Sequence, residues 1–200
     1  TLYKTFSYND SDKTVSLREP TEYEGTSAAA DDSGTGVQKG TVTLQKVPTG
    51  IYYMKESNDG TDAPCVRVCR ADGSWTGLAF HGVPGGHEFT SFVLGLYNAA
   101  GPGQAVDADV LEGTRAITQK TDVKVLVSLS CTMCPDLVVA AQRIAAANSN
   151  VTAHVYDIRH FENLKNQYNV MSVPCMVIND DKVLFGKKNV SQLLTNLLDG

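Results

Sequence analysis

The feature that most constrains this chain is Cys131-Thr132-Met133-Cys134, set between the apolar, strand-like run VKVLVSL at 123–129 and a helical pattern led by Pro135. Two residues between the cysteines, wound into a helical turn, bring both sulfurs within bonding reach, so the pair reads as a dithiol/disulfide site. The position also supplies reactivity. Unpaired N–H groups and the macrodipole at a helix N-terminus favour a thiolate, which lowers a cysteine pKa to roughly 3.5–7.5. Cys131 is therefore expected to attack, and Cys134, one turn inside the helix, to be shielded and to resolve. The bland alternative is half of a structural zinc site, which lacks a second CxxC to complete four ligands.

Around this motif the order of patterns is helix 107–118, strand 123–129, helix 135–147, strand 151–156, helix 160–168, strands 175–178 and 182–185, and helix 190–198. One central sheet with helices on its faces accommodates that order in under 100 residues, which makes the class α/β. Ser172-Val173-Pro174 stands directly before the strand CMVI, and a proline opening a strand here is a candidate for a cis peptide bond. Upstream, TVTLQKV, GIYYMKE, PCVRVCR and 75–80 are strand-like, with a turn at 71–74. A Gly/Pro loop at 81–86 leads to a helix over 88–97 that NAAGPG stops. Residues 24–40 carry neither period and read as a loop or linker, while part of 3–17 is expected to pair as β. The division expected is 1–103 and 104–200, with 1–39 poorly assigned.

Charge and length narrow the function classes. The 200 residues carry 17 Lys+Arg against 22 Asp+Glu, a net charge of −5, and the basic residues are scattered, which argues against nucleic acid as a partner. No apolar run approaches the roughly 18–20 residues of a membrane span, so a soluble globular protein is expected. The opening TLYKTFSYNDSDKTV shows no secretory signal pattern, and five cysteines, an odd number, suit an intracellular redox protein better than a disulfide scaffold. The compartment expected is the cytoplasm.

SLSCTMCPD, YDI, NVMSVP and KVLFGKKNVSQLL resemble the active thioredoxin-like half of the N-terminal domain of the flavoprotein subunit of alkyl hydroperoxide reductase, and GVPGGHEFTSFVLGLY resembles that family's linker between its two halves. The resemblance covers 76–200 closely and 41–75 loosely, and does not reach 1–39. It implies tandem thioredoxin-like folds, the first degenerate and the second carrying the CxxC. It further implies a protein-disulfide oxidoreductase that takes electrons from a flavin-dependent disulfide reductase domain and passes them to a peroxiredoxin-like acceptor. FAD and NAD(P)H would then sit on a partner domain, and this chain, which has no GxGxxG, would bind no cofactor and no metal of its own. The non-Met start fits a piece of a longer flavoprotein. Within the resemblance Glu88 falls close to the dithiol, and Cys131, Cys134, Pro174 and Glu88 form the expected site. Ala63-Pro64-Cys65 echoes Val173-Pro174-Cys175 as a trace of the tandem. Two rivals stay open: a general thioredoxin- or glutaredoxin-like reductase, and a docking module whose CxxC only senses redox state.

The remaining chemistry-bearing residues have plainer readings. Cys65 and Cys69, four apart on one strand, would lie roughly 13 Å apart and serve as buried small hydrophobes. Cys175 is expected to do the same, with Cys175 and Val177 on one buried face. His81 and His87 flank the glycine loop without thiol or carboxylate spacing for a metal, and His87 is a possible charge partner of the dithiol. His154 reads as a solvent-face or satisfied strand residue, and Trp75 as packing. Asn150 and Asn189 fit the glycosylation pattern, which has no meaning in the cytoplasm.

Overall fold

The computed structural model describes strands Thr5–Asn9 (β1), Thr14–Arg18 (β2), Val42–Thr43 (β3) and Tyr52–Glu56 (β4), together with residues 64–70 and 73–199. The loop expected at 24–40 lies outside the described residues. The later elements are β5 (Cys65–Arg70), β6 (Trp75–His81), α1 (Glu88–Ala100), α2 (Ala108–Arg115), β7 (Thr121–Val127), α3 (Cys134–Ala147), β8 (Val151–Asp157), α4 (Glu162–Gln167), β9 (Cys175–Ile178), β10 (Lys182–Phe185) and α5 (Val190–Leu198). Strands β1 and β2 pair with each other, and the others form one sheet in the order β10-β9-β7-β8-β6-β5-β4-β3. Strand β8 is parallel to both β7 and β6, and the remaining pairs are antiparallel. The result is a mixed α/β thioredoxin-like fold in which one sheet runs from the CxxC-bearing half into the strands before α1.

Period-two alternation sorts the sheet residues onto two cores. Val123, Val125 and Val127 of β7 join Val151, Ala153 and Val155 of β8 and Leu78 and Phe80 of β6 beneath α1, α3 and α5. Leu126, Tyr156, Cys175 and Val177 point to the opposite side, where Phe161 and Val170 cover them around α4. Helix α1 contributes a stripe at helical spacing, with Glu88, Ser91, Phe92, Gly95 and Leu96 all buried. A carboxyl thus occupies the first position of a stripe that the fold places indoors. At Gly95 the two main helices approach closely, since a Cβ there would lie 2.5 Å from Gln142 Oε1 of α3.

Several bounds differ from those expected, each for a local reason. Strand β7 ends at Val127 because the Ser128 carbonyl turns to accept the Cys131 N–H at 2.8 Å. Helix α2 stops at Arg115, where the buried Asn148 amide donates to the carbonyls of Thr114 and Ile117, both at 2.8 Å. Helix α1 runs on to Ala100, and the Gly101 N–H closes it onto Tyr97 at 3.0 Å. No helix of the described residues is long and apolar enough to cross a membrane.

Candidate functional site

Two strand-to-helix junctions build the site. At the end of β7 the chain turns through 128–133 into α3, and Cys131 and Cys134 are joined as a disulfide with Cα atoms 5.5 Å apart. The helix begins at Cys134, with Pro135 directly behind it. Cys134 is thus the first helical residue, not one turn inside, and Cys131 lies in the turn ahead of the helix. Proline in the first turn explains this start, since its missing N–H would have no intrahelical partner there anyway. Cys134 is fully buried and Cys131 half-buried, so the two sulfurs differ in access even though they share a bond.

The second junction leads from β6 through the glycine loop into α1. It is fastened to the first: the His87 N–H donates to the Leu129 carbonyl at 3.0 Å, two residues before Cys131. Gly86, at φ 53°, is the residue that permits this approach, because a Cβ at 86 would stand 2.3 Å from the same carbonyl oxygen. Glu88 follows at the start of α1 with 0% of its surface exposed. Its Oε2 accepts a hydrogen bond from Ser91 Oγ, and its Oε1 has no hydrogen-bond partner. Burial pushes the Glu88 carboxyl up to about 7, with the Ser91 hydroxyl pulling the other way. The His87 side chain is exposed.

The third wall is the Val173-Pro174 peptide, which is cis. The Val173 carbonyl oxygen lies 3.9 Å from Cys131 Sγ, a distance at which the reduced thiol can donate to it. Behind Pro174, Cys175 is fully buried, shares the α4-side core with Val177, and is held up to about 11 by burial, with Lys188 lowering it. Cys65 and Cys69 are both buried on β5. Trp75 is 37% exposed, with its Nε1–H on the Leu78 carbonyl at 2.9 Å and its ring edge-on to His154.

The structure places His81 elsewhere than a loop. It ends β6, fully buried and stacked on Tyr156 at 4.0 Å, and its Nε2 shares a 2.9 Å hydrogen bond with His154 Nδ1. His154 Nε2 in turn lies 3.5 Å from Asp122. Sequence reading missed this pair because it depends on β6 lying beside β8, a neighbour relation that no local pattern encodes. It missed Ser91 as well, although Glu88 and Ser91 at i and i+3 of an amphipathic helix were a usable signal. Among the described residues no three His, Cys, Asp or Glu side chains converge as a metal cage would require.

Comparison with known proteins agrees with this geometry. Residues 121–199 match the family model described as a thioredoxin domain. The flavoprotein component of alkyl hydroperoxide reductase, AhpF, from Pseudomonas aeruginosa is 35% identical over 144 residues, covering 71% of this chain and 27% of that protein. The chain is a homologue of AhpF. The likeness to AhpF extends to structure: the NTD_N/C domain of the Enterococcus faecalis protein superposes with a TM-score of 0.65 at 38% identity, covering 68% of this chain and 65% of that one. A Bacillus subtilis protein named NADH dehydrogenase is also similar, 31% identical over 174 residues, or 87% of this chain and 34% of the relative. The chain thus spans about a quarter to a third of the length of these curated relatives.

Proposed function

We propose that this chain is a thiol-disulfide oxidoreductase module that relays electrons between a flavin-dependent disulfide reductase domain and a peroxiredoxin-like acceptor. The observation that carries the reading is the unevenly buried Cys131–Cys134 pair at the start of α3, fastened to the Glu88 junction and facing Val173. In the reduced protein Cys131 is the attacking sulfur, since it is the one an incoming disulfide can reach and the N-terminus of α3 favours its thiolate. Its thiolate attacks one sulfur of the acceptor disulfide, forming a mixed disulfide and releasing the second acceptor sulfur as a thiolate that takes a proton from solvent. Glu88, as a carboxylate, accepts the proton of the Cys134 thiol. The Cys134 thiolate then attacks Cys131 Sγ, re-forms the disulfide and releases the first acceptor sulfur, so that two electrons and two protons have passed to the acceptor. Pro174 acts by position, holding the Val173 carbonyl against Cys131.

In this reading FAD and NAD(P)H belong to the reductase domain, and their chemistry ends in a dithiol that re-reduces Cys131–Cys134 by the same exchange run in reverse. The chain divides near residue 103, with the strands and α1 of the first part supplying Glu88 and the second part supplying the thiols. The cytoplasm is the compartment, where a dithiol of this kind is kept in turnover.

The test is the trapping of the acceptor. Reduced Cys134→Ser, given an oxidised peroxiredoxin, should accumulate a mixed disulfide through Cys131, and limited alkylation of the reduced wild type should label Cys131 before Cys134. A trap that forms through Cys134 instead would reverse the roles, and reduction of insulin at the same rate as peroxiredoxin would favour a general reductase.

A further inference from the structure

Ser91 has one hydroxyl proton and two acceptors within reach. Its Oγ is hydrogen-bonded to Glu88 Oε2 and lies 2.9 Å from the Glu88 backbone carbonyl, and both residues are fully buried. One proton serves one of these acceptors at a time. When Glu88 is a carboxylate, the hydroxyl must donate to Oε2, because a buried ionised oxygen is the stronger acceptor and the costlier one to leave bare. When Glu88 carries a proton on Oε2, the acid becomes the donor, Ser91 Oγ accepts, and the serine proton swings to the backbone carbonyl. Neither state requires a heavy atom to move.

We propose that Ser91 is a positioning residue for proton transfer at Glu88, its hydroxyl solvating the buried carboxyl in both protonation states so that a proton can come and go without rearrangement. This rests on the reading of Glu88 as the acceptor of the Cys134 proton. The other carboxyl oxygen, Oε1, is buried without a partner, so the carboxylate depends on Ser91 for its hydrogen bond. Other groups around the carboxyl do not replace it. On α1 itself His87 is exposed. From the β7 junction and α3 come the thiols Cys131 and Cys134, and then Asp136, which is paired with Lys187 at 3.5 Å. Lys187 and Lys188 line the open groove between α1, α3 and α5 whose floor includes Ser91, and Lys188 Nζ donates to the Phe185 carbonyl at 2.9 Å. From β6 the side chain facing α1 is Phe80, which is uncharged and edge-on to Phe92.

The experiment follows the Glu88 carboxyl by carbon-13 NMR in oxidised full-length chain across pH, for wild type, Ser91→Ala and Ser91→Thr, alongside the pH profile of disulfide reduction for each. Removing the hydroxyl takes away the bond that favours the charged form, so the Ser91→Ala midpoint should move alkaline by about one unit, roughly tenfold in proton affinity. Ser91→Thr, which keeps the hydroxyl, should return the midpoint to within a few tenths, and the alkaline shift should reappear in the reduction profile of the alanine variant. Should Ser91→Ala fail to fold, Ser91→Cys, a weaker donor, must shift the midpoint in the same direction. An unmoved midpoint in the folded alanine or cysteine variant overturns the inference whatever the activity does. A moved midpoint with a Glu88→Gln reduction profile identical to wild type instead overturns the proton-transfer reading of Glu88, and Ser91's part in exchange with it.

Discussion

The β6-to-α1 and β7-to-α3 junctions have the same shape and carry opposite chemistry. Each leaves a buried strand, turns through six residues, at 82–87 and 128–133, and opens a helix on a fully buried functional side chain, Glu88 in one and Cys134 in the other. Neither helix has a side-chain N-cap. One junction presents sulfur, which exchanges electrons, and the other presents a carboxyl, which exchanges protons. The strands that lead to them are not adjacent: β8 lies between β6 and β7, so their ends stand about 10 Å apart at the usual spacing of neighbouring strands. The loop at 82–87 reaches across the end of β8 to bind Leu129, and that crossing is what joins the two halves of the proposed exchange. For Glu88 the comparison also ranks two physical effects. A helix N-terminus favours a carboxylate, typically by about 0.3–1 kcal/mol, and ordinary exposure would leave the group ionised at neutral pH. Burial overrides both and lifts it to about 7.

The strongest way to break this division of labour is to remove the sulfur that makes the first contact. Cys131→Ser should lose essentially all disulfide reduction while keeping the wild-type fold, because the buried Cys134 cannot reach an acceptor. Turnover above a few per cent of wild type in a stopped assay with purified reductase would show that Cys134 initiates exchange by itself.

Next comes the carboxyl, through stability. Glu88 binds its proton more tightly in the folded state, about 7 against 4.5 for the free group, so the unfolded chain releases that proton first as pH rises. Stability from this group is therefore fully present below pH 4.5 and is lost as pH rises towards 7, by about 3 kcal/mol for a shift of this size. Glu88→Gln removes the titration. Its denaturant midpoint relative to wild type should rise between pH 5 and pH 8, and parallel curves for the two proteins would mean that burial does not govern Glu88.

A smaller effect is expected at the fastening. Gly86→Ala places a methyl against the Leu129 carbonyl and asks alanine to hold a left-handed backbone, which should cost about 1–3 kcal/mol. If the junctions act together, the variant should also slow exchange at unchanged Cys131 alkylation rate. A loss of stability with no change in exchange would mean that the contact only holds the fold.

How much of this was legible follows the range of the interactions involved. Helix α5 could be read to its end residues because a local device marks it: Asn189 accepts from the Gln192 N–H at 2.8 Å and the Gln192 side chain returns the bond to the Asn189 N–H at 3.0 Å. Strands β9 and β10 were equally plain, as four-residue apolar runs on either side of the turn at Asn179 and Asp180, both at positive φ. The dithiol was legible because its spacing is its chemistry. The helix start at Cys134 was misplaced by a turn, since the hydrogen bond from Cys131 N–H to Ser128 shapes the loop and leaves no trace in residue type. His81 and His154 are 73 residues apart and meet only through the parallel register Ala79↔His154 and His81↔Tyr156, which no pattern within either strand specifies.

The smallest effect is expected at Cys175, and it sharpens the comparison by asking whether a third sulfur belongs to the thiol junction. Cys175 follows Pro174 and pairs in register with Leu126 of β7, so its backbone is close to the site. Its side chain, however, points into the α4-side core with Val177, while the neighbours Met176 and Ile178 face the α3 side. Burial lifts its thiol to about 11, which leaves roughly one molecule in ten thousand as thiolate at pH 7, too few to compete with Cys131 for a disulfide. Cys65 provides an internal control: it too follows a proline, opens strand β5 and is fully buried, in a part of the chain that carries no CxxC. A cysteine at this point of the fold is thus explained by packing, as a small hydrophobe where a larger side chain would have to displace the strand. Cys175→Ala should cost about 1 kcal/mol from the missing sulfur, keep at least half of wild-type turnover, and leave Cys131–Cys134 as the sole disulfide in mass spectra of the oxidised protein. A Cys131–Cys175 bridge in the wild-type spectra, or turnover that falls with the alanine variant while its fold holds, would make Cys175 a working thiol and the site a three-sulfur one.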